Sequence, residues 1–262
     1  MRFFAFGCSF TQYMWPTWSD IVAYDMDIEY HNYALPGMGN VGIQCRMLEA
    51  DIKHRFNKDD VIMIMWSSWC REDRVRQGQW LTAGSVLNPY NGVYDRKFLK
   101  RYWDYSNDIV KNSTAIITAN KIYKNNISWQ GSGLPLFFTE GEKSKNTVEE
   151  NALINLYKDY IPNIDNVNTF KNDWDDLAFG SIDDCHPDVK AHLNIVENHV
   201  YKHLNVKLKS KTRNRFVQIH EAIAEKFKNK IHVSLARDEI LKALRDFYDV
   251  NTLMNTRILF DK

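Results

Sequence analysis

The stretch Val61-Ile62-Met63-Ile64-Met65 constrains this chain more than any other: a run of consecutive apolar residues set off by Asp59 and Asp60. A run so short and unbroken has no polar face to turn toward water. It predicts a strand buried on both sides, as in the interior of a parallel sheet. A second such run, Phe3-Phe4-Ala5-Phe6, is stopped by Gly7 and predicts a first strand over residues 2–6. A weaker strand is expected from Asp27 to Ala34, ending in the loop Pro36-Gly37-Met38-Gly39-Asn40. Helical spacing then takes over. Ile43, Met47, Leu48, Ile52 and Phe56 share one face between 41 and 56, and Leu193, Val196, Val200 and Leu204 do so between 191 and 204. With a further strand expected at 134–138 and a helix at 148–160, strands and helices alternate. That predicts an α/β fold whose parallel sheet is covered on both faces.

Composition excludes several classes. The 262 residues carry 34 basic and 33 acidic side chains, so net charge gives no sign of a nucleic-acid binder. With 8 Trp, 13 Tyr and 14 Phe the chain is too rich in aromatic rings for a disordered one. Its apolar run from Val61 to Trp66 is far short of the ~20 residues that cross a bilayer, so no membrane partner is expected. The opening Arg2-Phe3-Phe4-Ala5-Phe6-Gly7 lacks the long apolar segment of a signal peptide. Cysteines at 8, 45, 70 and 185 are too few and scattered for a disulfide framework, and a reducing, intracellular setting is expected.

Two stretches stand outside the alternation. Residues 67–105 carry Trp69, Trp80, Tyr90, Tyr94, Tyr102, Trp103 and Tyr105 without a clear period, and read as an insertion beside a strand end. It could serve as a lid over a sugar or an acyl chain, or as a satellite core. From 207 onward a basic residue stands at every second position through 215, followed by expected helices at about 214–227 and 235–248. That segment holds 13 basic and 7 acidic residues, against a net charge of −5 for 1–206, and the shift marks a boundary between a main domain, 1–206, and a C-terminal extension, 207–262.

Three motifs carry chemistry. Gly7-Cys8-Ser9-Phe10-Thr11 follows the first strand, Asn32-Tyr33-Ala34-Leu35-Pro36-Gly37-Met38-Gly39-Asn40 follows the second, and Asp183-Asp184-Cys185-His186-Pro187 precedes His192 and the amphipathic helix of 191–204. Ligands of open parallel sheets bind at the carboxyl ends of the strands, where Ser9 is expected. A serine there can begin a helix, and serine is a favoured N-cap; it becomes a nucleophile only when a base takes its proton. His186 suits that task near neutral pH. Asp183 and Asp184 both stand close enough to orient the imidazole, and the three-residue spacing favours Asp183. Glycine at 37 or 39 lets a backbone amide approach a developing oxyanion.

These motifs, in this order, resemble the SGNH or GDSL-like hydrolase superfamily over residues 1–206. The resemblance implies a three-layer α/β/α sandwich with a flavodoxin-like parallel sheet, here followed by a small helical extension. It implies Ser9 as nucleophile, His186 as general base, Asp183 as orienting acid, and the amides of Ser9 and Gly37 as oxyanion donors. The expected substrate is a small ester, O-acetyl groups on glycans included, and the mechanism requires no cofactor and no metal. Two positions depart from the family pattern: Cys8 replaces the usual Asp, and the third motif reads Met65-Trp66-Ser67-Ser68-Trp69 where an Asn is expected. Ser68 or Asn40 would then have to supply the missing side-chain donor. The Gly-Cys-Ser-Phe-Thr opening and the Trp-Ser-Ser motif also look like divergent SGNH-like proteins of bacteriophages. That implies a second reading: a catalytically weak binding or assembly module, cytoplasmic or virion-associated, meeting a virion partner or another copy through 207–262.

Cys8, as neighbour of Ser9, is a candidate nucleophile but is expected to face the interior as a small hydrophobe. A metal site built from Cys8, Cys185, His186 and Asp183 lacks a zinc-type ligand spacing, and His199 and His203, four apart on a helix, could share a metal but more often such a pair is a solvated face.

Overall fold

The structure, a computed structural model, describes residues 1–87, 94–134, 136, 147–167, 177–227, 229–245 and 247. In chain order the elements of the first half are β1 (Arg2–Phe6), α1 (Trp18–Met26), β2 (Glu29–Asn32), α2 (Asn40–His54), β3 (Val61–Trp66), β4 (Arg71–Arg76), β5 (Gln79–Ser85), α3 (Arg96–Tyr102) and α4 (Tyr105–Tyr123). The second half continues with β6 (Ile127–Ser132), α5 (Val148–Lys158), β7 (Asp165–Asn166), β8 (Ile182–Asp183) and α6 (Val189–Ile195). A π-helical turn (Val196–Val200) leads into α7 (Tyr201–Leu204), and α8 (Ser210–Lys226), β9 (Ile231–His232) and α9 (Val233–Arg245) complete the described chain.

Alternation along the strands divides the core. Phe3 and Ala5 of β1, with Met63 and Met65 of β3, point to the side covered by α1, α6 and α8. Phe4 and Phe6, with Ile62, Ile64 and Trp66, point to the side covered by α2 and α4. Both faces of β1 and β3 are therefore buried, which is why those strands are continuous apolar runs. The five-stranded sheet is parallel throughout, in the order β2-β1-β3-β6-β7. Over sheet strands alone this is the doubly wound order 2-1-3-4-5, whose crevice opens where β1 and β3 diverge to opposite sides.

Several expectations are corrected. The fourth sheet strand is Ile127–Ser132 rather than 134–138; Leu134 and Leu136 lie in bends, and 135, 137 and 138 are outside the described residues. This strand is hard to read from sequence because Ile127-Ser128-Trp129-Gln130 alternates in polarity and, among the described residues, its outer neighbour β7 pairs with it at Gly131 and Ser132 alone. Leu48 and Ile52, expected on the buried face of α2, are 50% and 61% exposed. The aromatic stretch is an antiparallel hairpin, β4–β5, followed by α3. Its Trp69 joins Cys70, Tyr105 and Ile109 in a small separate core, while Trp80 packs on the α2–α4 side. Tyr90 lies outside the described residues.

The segment from 207 onward shares the main core. Phe216, Ile219 and Ile223 of α8 and Ile240 and Leu244 of α9 are buried in the cluster that also holds Phe3 and Met63. Asp25 of α1 fastens the entry to α8, accepting from Tyr201 Oη at 2.8 Å, from the Lys209 amide at 3.1 Å and from Thr212 Oγ1 at 2.5 Å. The alternating basic residues are no strand, since the helix begins at Ser210. Among them Lys209 reaches the Asp25 carbonyl and Arg213 pairs with Glu197 at 2.9 Å.

Candidate active site

Gly7 ends β1 because nothing larger fits: a Cβ there would stand 2.1 Å from Thr11 Oγ1 and 2.9 Å from the Met65 carbonyl. The chain then turns tightly, with the Thr11 and Gln12 amides donating to the Cys8 carbonyl at 2.9 and 3.1 Å. Ser9 is buried in this turn and does not begin a helix; α1 starts nine residues later, at Trp18. Three donors converge on the Thr11 carbonyl: Thr17 Oγ1 at 2.8 Å, Ser19 Oγ at 2.9 Å and Asn32 Nδ2 at 2.9 Å. Asn32, from the second motif, thus holds the first motif in place. Cys8 is fully buried in the main core.

The imidazole of His186 stands beside this turn. Its Nδ1 donates to Asp184 Oδ1 at 2.5 Å, and its own main-chain amide donates to the same oxygen at 2.8 Å. The second carboxylate oxygen receives the hydroxyl of Tyr13. Tyr13 also stacks on the imidazole, and the Phe10 ring meets it edge-on at 5.7 Å. Burial alone would push the Asp184 carboxyl up; the hydrogen bond and charge of His186 and the Tyr13 hydroxyl outweigh it and hold Asp184 below the ordinary carboxylate value. Burial, reinforced by Asp184, raises the Tyr13 phenol, which stays protonated and able to donate. His192 is buried deeper, and burial plus the charge of His186 lower it to about 3, so it is a neutral packing residue.

The carboxylate on the imidazole is therefore Asp184, where the spacing favoured Asp183. Asp183 belongs to β8, which pairs with β9 (Asp183↔His232), and its side chain turns outward to Lys230 Nζ at 3.5 Å. Strand pairing by the C-terminal segment decides which of the two adjacent acids faces the histidine. Among the described residues no hydrogen bond joins Ser9 to His186; the rings of Phe10 and Tyr13, both just after Ser9 along the turn, meet the imidazole.

The glycine loop is roofed by the hairpin. Gly37 takes φ +81°, and its carbonyl accepts from the Gly84 amide at 3.1 Å. Thr82 Oγ1 donates to the Pro36 carbonyl at 2.7 Å, and Arg71 Nη1 to the Met38 carbonyl at 3.1 Å. Asp73 sits at the start of α2, accepting from the Gly39 amide at 2.9 Å and the Gly42 amide at 3.0 Å. Burial nevertheless pushes its carboxyl up to about 6, against the pull of those amides and of Arg71.

Neither candidate for the missing oxyanion donor stands free. Asn40 is fully buried and fully engaged: Oδ1 accepts from the Ser67 amide at 2.7 Å, and Nδ2 donates to the Ser67 carbonyl at 3.0 Å and to Asn112 Oδ1 at 2.7 Å. Both amide protons are spent on the structure, so Asn40 has none for a substrate. Its reciprocal bond to Ser67 pins the chain just beyond β3. Ser68 Oγ lies 3.3 Å from Cys70 Sγ. Tyr13 and Arg71 were not singled out in the sequence, where each is one ring or one cation among many.

Asp184, Cys185 and His186 bring a carboxylate oxygen, a thiol and a ring nitrogen within 4.8 Å of one another. Both Asp184 oxygens are already engaged, so a metal there would have to break the contacts to His186 or Tyr13. A cavity of about 420 Å³ opens elsewhere, at the outer edge of β6 and β7 beside Gln130, Asp165 and His203, and holds no residue of the three motifs. Compared with protein families, curated proteins and solved structures, the chain matches none.

Proposed function

We propose that this chain is a serine ester hydrolase of the SGNH type, with Ser9 as nucleophile, His186 as its base and Asp184 as the orienting acid. The observation that carries the reading is the Asp184–His186 pair held against the turn that bears Ser9. With the Nδ1 proton committed to Asp184, Nε2 is the nitrogen available to accept one. Ser9 Oγ attacks the ester carbonyl as its proton passes to Nε2; the leaving alcohol takes that proton, and water activated by the same nitrogen releases the acid. The amides of Ser9 and Gly37 serve the oxyanion. The doubly wound strand order supports the reading, because it opens its crevice at the ends of β1 and β3. Small esters and O-acetylated glycans are the substrates it favours, and the mechanism needs no cofactor.

The engagement of Asn40 and the Ser68–Cys70 contact favour a second reading, in which the fold is a binding or virion-assembly module. Loss of one oxyanion donor costs about 2.7–4 kcal/mol of transition-state stabilisation. Turnover of a short-chain p-nitrophenyl ester by wild type and by Ser9→Ala tests the hydrolase; equal rates would remove it. A fluorophosphonate probe separates the readings, since an activated Ser9 is labelled and an idle one is not.

A further inference from the structure

Arg71 opens β4 directly over the second motif: a Cβ on Gly39 would meet the Arg71 Cβ at 2.8 Å. Its Nη1 is committed to the Met38 carbonyl at 3.1 Å, one residue from Gly37. The opposite edge of the guanidinium, formed by Nε and Nη2, has no partner among the described residues, and the Nε proton is buried. Two other arginines of this molecule grip carboxylates with the same edge. Arg2 holds Asp60 through Nε at 3.0 Å and Nη2 at 2.6 Å, and Arg213 holds Glu197 through Nε at 2.9 Å and Nη2 at 3.3 Å. Arg71 forms no ion pair with a described acid. Asp73, two residues on, spends its carboxylate on the amides of Gly39 and Gly42, and Glu72 turns to Lys111 at 2.7 Å. A half-buried cation with an unused bidentate edge thus lies over the glycine loop.

We propose that Arg71 binds a carboxylate on the substrate through Nε and Nη2, which makes the preferred ester an acidic one. The proposal rests on the hydrolase reading for the ester, but the anion site is testable without turnover. Succinate and its neutral dimethyl ester are titrated into the full-length protein while NMR follows the Arg71 Nε–H and the amides of Gly37 and Cys185. Succinate is expected to shift these signals saturably, the dimethyl ester to leave the Nε–H unmoved, and Arg71→Gln to weaken succinate at least tenfold. Arg71→Lys, which keeps the charge and loses the fork, should fall between. Succinate that leaves the Nε–H unmoved, or that binds Arg71→Gln as well as wild type, overturns the proposal. Because the Nε–H is read in the unaltered protein, the result does not depend on either variant folding. Kinetics add a second arm: Arg71→Gln is expected to raise KM for mono-p-nitrophenyl succinate at least tenfold more than KM for p-nitrophenyl acetate. Equal loss of kcat on both would assign Arg71 to the oxyanion and overturn the carboxylate site. Failure of the hydrolase reading looks different: Ser9→Ala matches wild type on every ester while the succinate shift at Arg71 persists.

Discussion

Tyr13 lies flat on His186, ring centroids 4.0 Å apart and planes 19° apart, and its hydroxyl donates to Asp184, the acid that holds the same imidazole. One side chain thereby fixes the position of the histidine and lowers the basicity of its partner. Behind it, the Trp15 ring meets Tyr13 edge-on at 4.6 Å, and Trp15 Nε1 donates to the Pro187 carbonyl at 2.8 Å. The aromatic residues after Ser9 form a clamp on the histidine loop.

Tyr13→Phe keeps the stacked ring and removes the hydroxyl. Hydrogen bonds to charged groups contribute about 1.5–3 kcal/mol, and the loss falls on ionised Asp184. The Asp184 carboxyl, held below its ordinary value in the folded protein, is expected to rise, as read by carbon NMR of that carboxyl. A depressed folded value adds stability above the unfolded value of about 3.9 that is lost as pH falls through the folded one. The variant should therefore lose stability near neutral pH and show a shallower decline in acid, by urea denaturation at several pH values.

The two adjacent acids can be told apart. Asp184→Asn is expected to reduce Ser9-dependent ester turnover by about 10³–10⁴-fold, because the amide favours the wrong imidazole tautomer. Asp183→Asn should stay within about threefold, since an exposed pair such as Asp183–Lys230 contributes at most ~1 kcal/mol. A larger effect of Asp183→Asn than of Asp184→Asn would reverse the assignment.

Asp73 titrates in the opposite sense to Asp184. Its folded value of about 6 lies above the unfolded ~3.9, so between those limits the folded protein binds more protons and stability falls as pH rises. Asp73→Asn should flatten that slope between about pH 4 and 6. Melting temperatures of the two proteins across this window check it, and an unchanged slope would assign the titration to another group.

The C-terminal segment is structural for the main core. Phe216→Ala removes a fully buried ring from α8 and is expected to cost about 3–5 kcal/mol, measured as a lowered urea midpoint with a single transition. Two separated transitions in the wild type would mean instead that 207–262 folds on its own.

Much of the architecture was legible. The runs at 2–6 and 61–65 announce strands buried on both faces, and Gly7 and the Pro36–Asn40 stretch announce the loops after the first two strands, because strand burial and turn chemistry are written in neighbouring residues. The helix α4 and the strand β6 were not, since Ile109, Ile116 and Ala119 are spread among polar residues and the outer strand alternates.

The site divides in the same way. Neighbouring residues alone establish that a serine follows the first strand, that a histidine precedes the amphipathic helix of 191–204 and that two acids stand just before it. Tertiary structure alone decided which acid faces the imidazole, because that depends on β8 pairing with a strand from residues 231–232. It also decided that Asn40 is consumed by Ser67 and Asn112 and that Tyr13 caps the histidine, contacts between residues 27, 72 and 171 positions apart. Local order selects which elements form, whereas the partner of a polar side chain is set by chain segments that meet only after the sheet has assembled.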